Sequence, residues 1–164
     1  MNKKSKLFNL LPKDQLDIIL NQDKCELDDF FLGFTDIYEH LSYIIPKHFT
    51  VLDLGCYLAA QSFYFQRHKG YVGVDLTDLK RFKFENTTHY IKDIGEFLIE
   101  DLRQYDLDET FVICSYVPIM RTIRQMLKEK CKNIFIFYPS DKNNDKDIAM
   151  RIKLRRQLEN RIKV

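Results

Sequence analysis

The stretch "VLDLGCYLAAQSFYF", residues 51–65, decides how the rest of the chain is read. An apolar run ends on an acid and a glycine, and small residues and a helix-like segment follow. That is the profile of a buried strand feeding a tight turn, the arrangement that cradles phosphates and nucleotides. Gly55 lets the backbone turn without a Cβ and approach a ligand closely. Tyr57 and Ala59 stand where such a loop usually carries more glycine. Leu58, Ala59 and Ala60 can start a helix directly and need no positive φ, so the turn is expected to close without the missing glycines.

Strand signals recur on either side of this stretch. Residues 49–54 form the first, 71–74 the second, 89–91 a weaker third, 111–114 the fourth and 134–138 the fifth. Residues 58–68, 94–104 and 119–130 read as helices between them. Strand and helix alternating in this way imply parallel pairing with right-handed crossovers. The strands are continuous apolar runs, as expected for a sheet covered on both faces. Ahead of them, Pro12 is suited to a helix start and leads a helix over 12–21. Apolar residues at steps of three and four predict a second helix over 26–45, which Pro46 ends. After Tyr138 comes the polar turn PSDKNNDKD and a basic segment that reads as a terminal helix. Its charges are read as a solvated face in preference to a nucleic-acid contact.

The chain has 164 residues, 45% apolar and 30% charged, with a net charge of +2. A globular chain with a real core is expected, and the balance of charge does not by itself imply nucleic acid. The expected division is an N-terminal helical segment over 1–46, a core over 47–140 and a basic helix over 141–164, all in one domain. Cys25, Cys56, Cys114 and Cys131 are widely spread, without the spacing of a zinc site or a disulfide framework. No run approaches the ~20 apolar residues of a membrane span. A reduced, cytoplasmic protein without a metal site or membrane contact is the simplest expectation.

In a doubly wound sheet, ligands bind beyond the carboxyl ends of the strands. The candidates are therefore Asp53, Gly55, Cys56 and Tyr57 after the first strand, and Asp75 with Leu76 after the second. Asp93 with Ile94 follow the third strand, and Ser115 the fourth. Asp75 can accept both hydroxyls of a ribose. Asp93 can accept from an adenine amino group with Ile94 against the ring, and Asp53 can receive an ammonium group or orient the loop. Taken singly, Asp75 and Asp93 are equally well read as caps of the segments that follow them. Cys56 lies in the loop after the first strand and Cys114 ends the fourth; in a 3-2-1-4-5 strand order those strands are neighbours and the thiols can lie close, but no His is placed to activate either; His48 and His68 are expected at the surface. No catalytic residue is assigned.

"VLDLGC", "YVGVDL", "YIKDI", "FVICSYVP" and "NIFIFYP" together resemble the ordered motifs of class I S-adenosylmethionine-dependent methyltransferases, over about residues 49 to 138. The resemblance implies a Rossmann-like three-layer α/β sandwich of about five mainly parallel strands in order 3-2-1-4-5, with N-terminal helices. It also implies S-adenosylmethionine as cofactor and an unidentified methyl acceptor as partner. The family's first loop is an acid, one residue, then Gly-x-Gly-x-Gly. Asp53 and Gly55 match it, whereas Tyr57 and Ala59 replace the second and third glycines. Asp75 matches the ribose-binding acid, and Asp93 the residue near adenine. "SYVP" does not match the Asn-Pro-Pro-aromatic motif of amino-methylating enzymes. Only residues 139–164 follow Tyr138, too few for the two further strands common in the family. Two readings follow: a small methyltransferase, or a non-catalytic methyltransferase-like domain that binds a nucleotide or acts through a protein partner or a second copy of itself. A nicotinamide-dependent oxidoreductase ranks below both, because its Gly-x-Gly-x-x-Gly turn would need glycine at 57 and 60.

Overall fold

Five parallel strands form one sheet in the order β3-β2-β1-β4-β5. The computed structural model describes residues 5–23, 35–115 and 121–137. The strands are β1 (Thr50–Leu54), β2 (Gly70–Asp75), β3 (Thr87–Ile91), β4 (Thr110–Ser115) and β5 (Ile134–Phe137). This is a Rossmann-like α/β fold, and its strand order is the one the motif order implies. The helices are α1 (Ser5–Leu10), α2 (Lys13–Leu20), α3 (Thr35–Ile44), α4 (Ile94–Glu100) and α5 (Arg121–Lys130). The 26–34 part of the expected second helix, residues 116–120, and everything from Tyr138 onward, the basic tail included, lie outside the described residues.

β1 is central because it can be buried on both faces. Val51, Leu52 and Leu54 are fully buried, and β1 pairs Thr50 with Gly70 on one side and Thr110 on the other. Alternation along the strand then sends neighbours to opposite layers. Val51, Tyr71, Phe111 and Ile113 pack with Ile37, Tyr38, Leu41 and Ile45 of the α3 region. Leu52, Leu54, Val72 and Val112 pack instead with Phe97 and Leu98 of α4 and Leu127 of α5. Cys56 belongs to the first layer and Cys114 to the second, so the sheet keeps the two thiols apart. α1 and α2 build a third cluster, with Leu7, Leu11, Leu16 and Ile19 against Leu58 and Phe82.

Between β1 and β2 the expected helix over 58–68 is instead a short 3₁₀ segment, Ala60–Phe65. His68 follows it and is buried, not exposed: its Nε2 lies 3.1 Å from the Ile45 carbonyl and its ring meets Phe65 edge-on. Burial, reinforced by the charge of Lys47, holds this imidazole below the ordinary histidine range. His48 is exposed as expected. No described helix is long and apolar enough to cross a membrane.

Candidate functional site

The turn after β1 has the positive-φ backbone of a glycine loop, although only the first of its three glycines, Gly55, is present. Gly55, Tyr57 and Ala59 all take positive φ, at 83°, 48° and 55°. The expectation that Ala59 needs no positive φ is therefore overturned. A left-handed conformation costs an L-residue roughly 1–2 kcal/mol, so other interactions must hold it. Gly55 N–H donates to Val74 O at 2.7 Å, Tyr57 N–H to Asp75 Oδ2 at 2.9 Å and Ala59 N–H to Cys56 O at 2.8 Å. On the other side, Phe82 N–H donates to Leu58 O at 2.9 Å and Arg81 Nε to Tyr57 O at 2.7 Å. The Tyr57 ring packs on the cluster built by α1 and α2.

Position 59 gives a test of this strain. Glycine there would relieve about 1–2 kcal/mol of left-handed strain and lose about 0.8 kcal/mol of methyl burial plus backbone entropy. Ala59→Gly should therefore be close to neutral. A β-branched side chain adds strain and overpacks a site that is 0% exposed, so Ala59→Val should lower stability by about 2–3 kcal/mol. Urea denaturation of the two variants checks the contrast. Equal losses would mean that position 59 is not left-handed.

Asp53 sits beneath the turn and is fully buried. Its Oδ1 accepts from the Tyr38 hydroxyl at 3.1 Å, and its Oδ2 from the Tyr71 hydroxyl at 2.5 Å and Gln61 Nε2 at 2.8 Å. Gln61 also donates to Cys56 O at 3.0 Å. The carboxylate thus ties α3, β2 and the 3₁₀ segment to β1. Burial pushes it up to about 6 against the lowering effect of its three donors, with a further push from Asp75.

Asp75 closes β2 with its carboxylate engaged. Oδ2 takes the Tyr57 N–H, and Oδ1 takes the Thr77 N–H at 2.9 Å and the Thr77 hydroxyl at 2.6 Å. Arg81 Nη2 lies 3.8 Å from the same Oδ1, and the Asp75 side chain is 14% exposed. Arg81 itself is buried. It also donates through Nη1 to Leu79 O at 3.2 Å and through Nη2 to Thr77 O and, at 3.2 Å, to Thr77 Oγ1. The segment after β2 therefore folds back over the turn, with a guanidinium between them.

The parallel register gathers the other candidates at the same end of the sheet. Lys92 N–H donates to Asp75 O at 3.0 Å, so Asp93 follows beside the end of β2. Asp93 caps α4, with Oδ1 accepting from Gly95 N–H at 2.8 Å and Glu96 N–H at 3.2 Å. Ile94 packs into the α4 layer, whereas Leu76 is 69% exposed. Ser115 ends β4, one residue beyond Cys114, the partner of Leu54. Cys56 is buried and its thiol is pushed well above the ordinary value, first by burial and then by the charge of Asp53. It stands against Gly73, where an added Cβ would lie 2.8 Å from Sγ and 3.0 Å from His89 Cδ2. Among the described residues no group of three or more His, Cys, Asp or Glu could hold a metal ion.

Arg81 and Gln61 are the site residues that reading the sequence does not find. Arg81 lies in the charged run "DLKRFKF", where nothing separates it from the solvated lysines beside it. No family model matches the chain, and no curated protein does.

Proposed function

We propose that this is a non-catalytic, methyltransferase-like domain that holds its nucleotide turn closed with its own side chains and serves as a protein-interaction module. One observation carries the reading: the buried Arg81 guanidinium joins Tyr57 O to the Asp75 carboxylate. A carboxylate offers about four lone-pair positions. Three are taken by Tyr57 N–H, Thr77 N–H and the Thr77 hydroxyl, and Arg81 stands against one of the same oxygens. A ribose diol does not fit Asp75 unless these donors leave. Asp53 is equally committed, to Tyr38, Tyr71 and Gln61.

A second reading, S-adenosylmethionine-dependent methyl transfer to an unidentified acceptor, is favoured by the positive φ at Gly55, Tyr57 and Ala59. A chain with no use for the turn has little reason to keep two strained L-residues in it. In that reading the cofactor would lie over Gly55 with its ribose on Asp75.

Isothermal titration of the full chain with S-adenosylmethionine and its demethylated product separates the two. No binding at millimolar ligand is the expected result. Micromolar binding by the parent chain, weakened about tenfold or more in Asp75→Ala as for a lost hydrogen bond to a charged group, would overturn the interaction-module reading and restore the enzyme.

A further inference from the structure

Beside the closed turn, at the edge of the sheet, lies a groove of about 580 Å³. Ile18 and Ile19 of α2, Leu79, and His89 and Ile91 of β3 line it, with Gln15, Asp78, Lys80, Arg81 and Lys83 around them. We infer that this groove and the free edge of β3 bind an extended, acidic peptide segment of a partner protein, added as a sixth strand. The inference rests on the interaction-module reading and names the partner's chemistry.

The backbone supplies the first support. β3 pairs only with β2 among the described residues. Asn86 O accepts from Tyr71 N–H and Lys92 N–H donates to Asp75 O, so residues 86, 88, 90 and 92 direct their peptide groups inward. Alternation then turns those of His89 and Ile91 to the open edge, where a new strand would find donors and acceptors in register. Natural sheets blunt such edges with charge, proline or a cover. Here Ile91 is 56% exposed at the edge, and Ile18 is 53% exposed across the groove.

Charge supplies the second support. Among the described residues, Lys80 and Lys83 form no ion pair and Asp78 is the single acid lining the groove. Both lysines are fixed in place by side-chain amides that pair in two directions with their backbones. Gln22 accepts from Lys80 N–H at 2.7 Å and donates to Lys80 O at 3.0 Å. Gln15 accepts from Lys83 N–H and donates to Lys83 O, both at 2.7 Å. The segment carrying the lysines is thereby stapled to α2 through Gln15 and to the turn after it through Gln22, and the groove is preformed. Burial first, and then the charges of Arg81 and Lys83, push the His89 imidazole down to about 4. A positive rim over an apolar floor suits acids alternating with β-branched or aromatic residues. A nucleic-acid strand would leave the apolar floor without a matching contact.

Selection of a random-peptide display library against the full chain tests this. The expected winners alternate acidic with β-branched or aromatic residues. They should bind Lys80→Glu/Lys83→Glu and, separately, Ile91→Lys about tenfold or more weakly; all three positions are on the surface, and circular dichroism confirms folding of the variants. The inference falls if no peptide is enriched, if the enriched peptides lack acids, if binding is indifferent to both variants, or if single-stranded oligonucleotides bind the parent and lose binding in the same variants. Failure here is distinct from failure of the interaction-module reading, because the titration with S-adenosylmethionine reports on Asp75 and its turn, whereas the selection reports on Lys80, Lys83 and Ile91.

Discussion

The gap in stability between an Asp53→Asn variant and the parent should move by about 3 kcal/mol in the variant's favour as pH rises from about 3 to about 7. The folded protein holds the Asp53 proton up to about pH 6, whereas the unfolded chain releases it near the ordinary value of about 3.9. Two units at about 1.4 kcal/mol each give the size. The sign follows from proton counting. Between those values the native state binds more protons than the unfolded state, so the Asp53 contribution is complete below about pH 3.9 and is lost as pH rises through the folded value. Asparagine does not titrate, and the tyrosine hydroxyls and the Gln61 amide can turn to suit it. The difference between two proteins is the right measure because His89 runs the other way. Its imidazole is held down to about 4, so its contribution grows with pH over the same window and flattens the parent's own curve. Urea denaturation of both proteins across this range makes the check. A gap that stays level would mean that the buried carboxyl ionises at its ordinary value and that its three donors offset its burial.

The sheet was legible because its signals are local and repeated. Five apolar runs with helical spacers are enough for a parallel α/β sheet, and the strand order followed from the resemblance of the motif order. Even the caps were open to view, since Asp93 before "IGEF" is an N-cap by residue type alone. The state of the turn was not legible. Propensity rightly says that Tyr57 and Ala59 avoid positive φ; what holds them there is Asp75, Arg81 and Phe82, all far along the chain. Asp53 was read as a ligand group because an acid at a strand end normally meets solvent, and no periodicity shows that Tyr38 and Tyr71 close over it. His68 was misplaced for a similar reason. Its polar neighbours, Arg67 and Lys69, suggest the surface, but the short 3₁₀ turn rotates the ring inward onto Phe65 and Ile45. Motif order thus carried the fold, whereas the use of each site residue depended on partners that only the folded chain brings together.

Arg81→Ala should lower the unfolding free energy by about 3–4 kcal/mol, the range for breaking a buried, hydrogen-bonded charge interaction by removing one partner. Arg81 is 6% exposed, and its guanidinium donates to three carbonyls, Tyr57, Leu79 and Thr77, as well as to the Thr77 hydroxyl. Alanine leaves those oxygens short of a donor and Asp75 without its nearest cation. Arg81→Lys keeps the charge but not the planar fork that reaches several acceptors at once, so it should recover less than half of the loss. A purely local packing defect would lower stability without loosening the turn in particular, so amide exchange is the sharper readout. Tyr57 N–H on Asp75 and Phe82 N–H on Leu58 O are the bonds that the guanidinium braces. Their protection should fall in Arg81→Ala by more than that of Val72 in the centre of β2, which tracks global unfolding. With Arg81 gone, fewer contacts offset the left-handed strain of about 1–2 kcal/mol at Tyr57, and its N–H on Asp75 is left as the main restraint. Uniform loss of protection across turn and sheet, or stability within 1 kcal/mol of the parent, would show that the turn closes without Arg81. The clasp over Asp75 would then have to be sought in Thr77 alone.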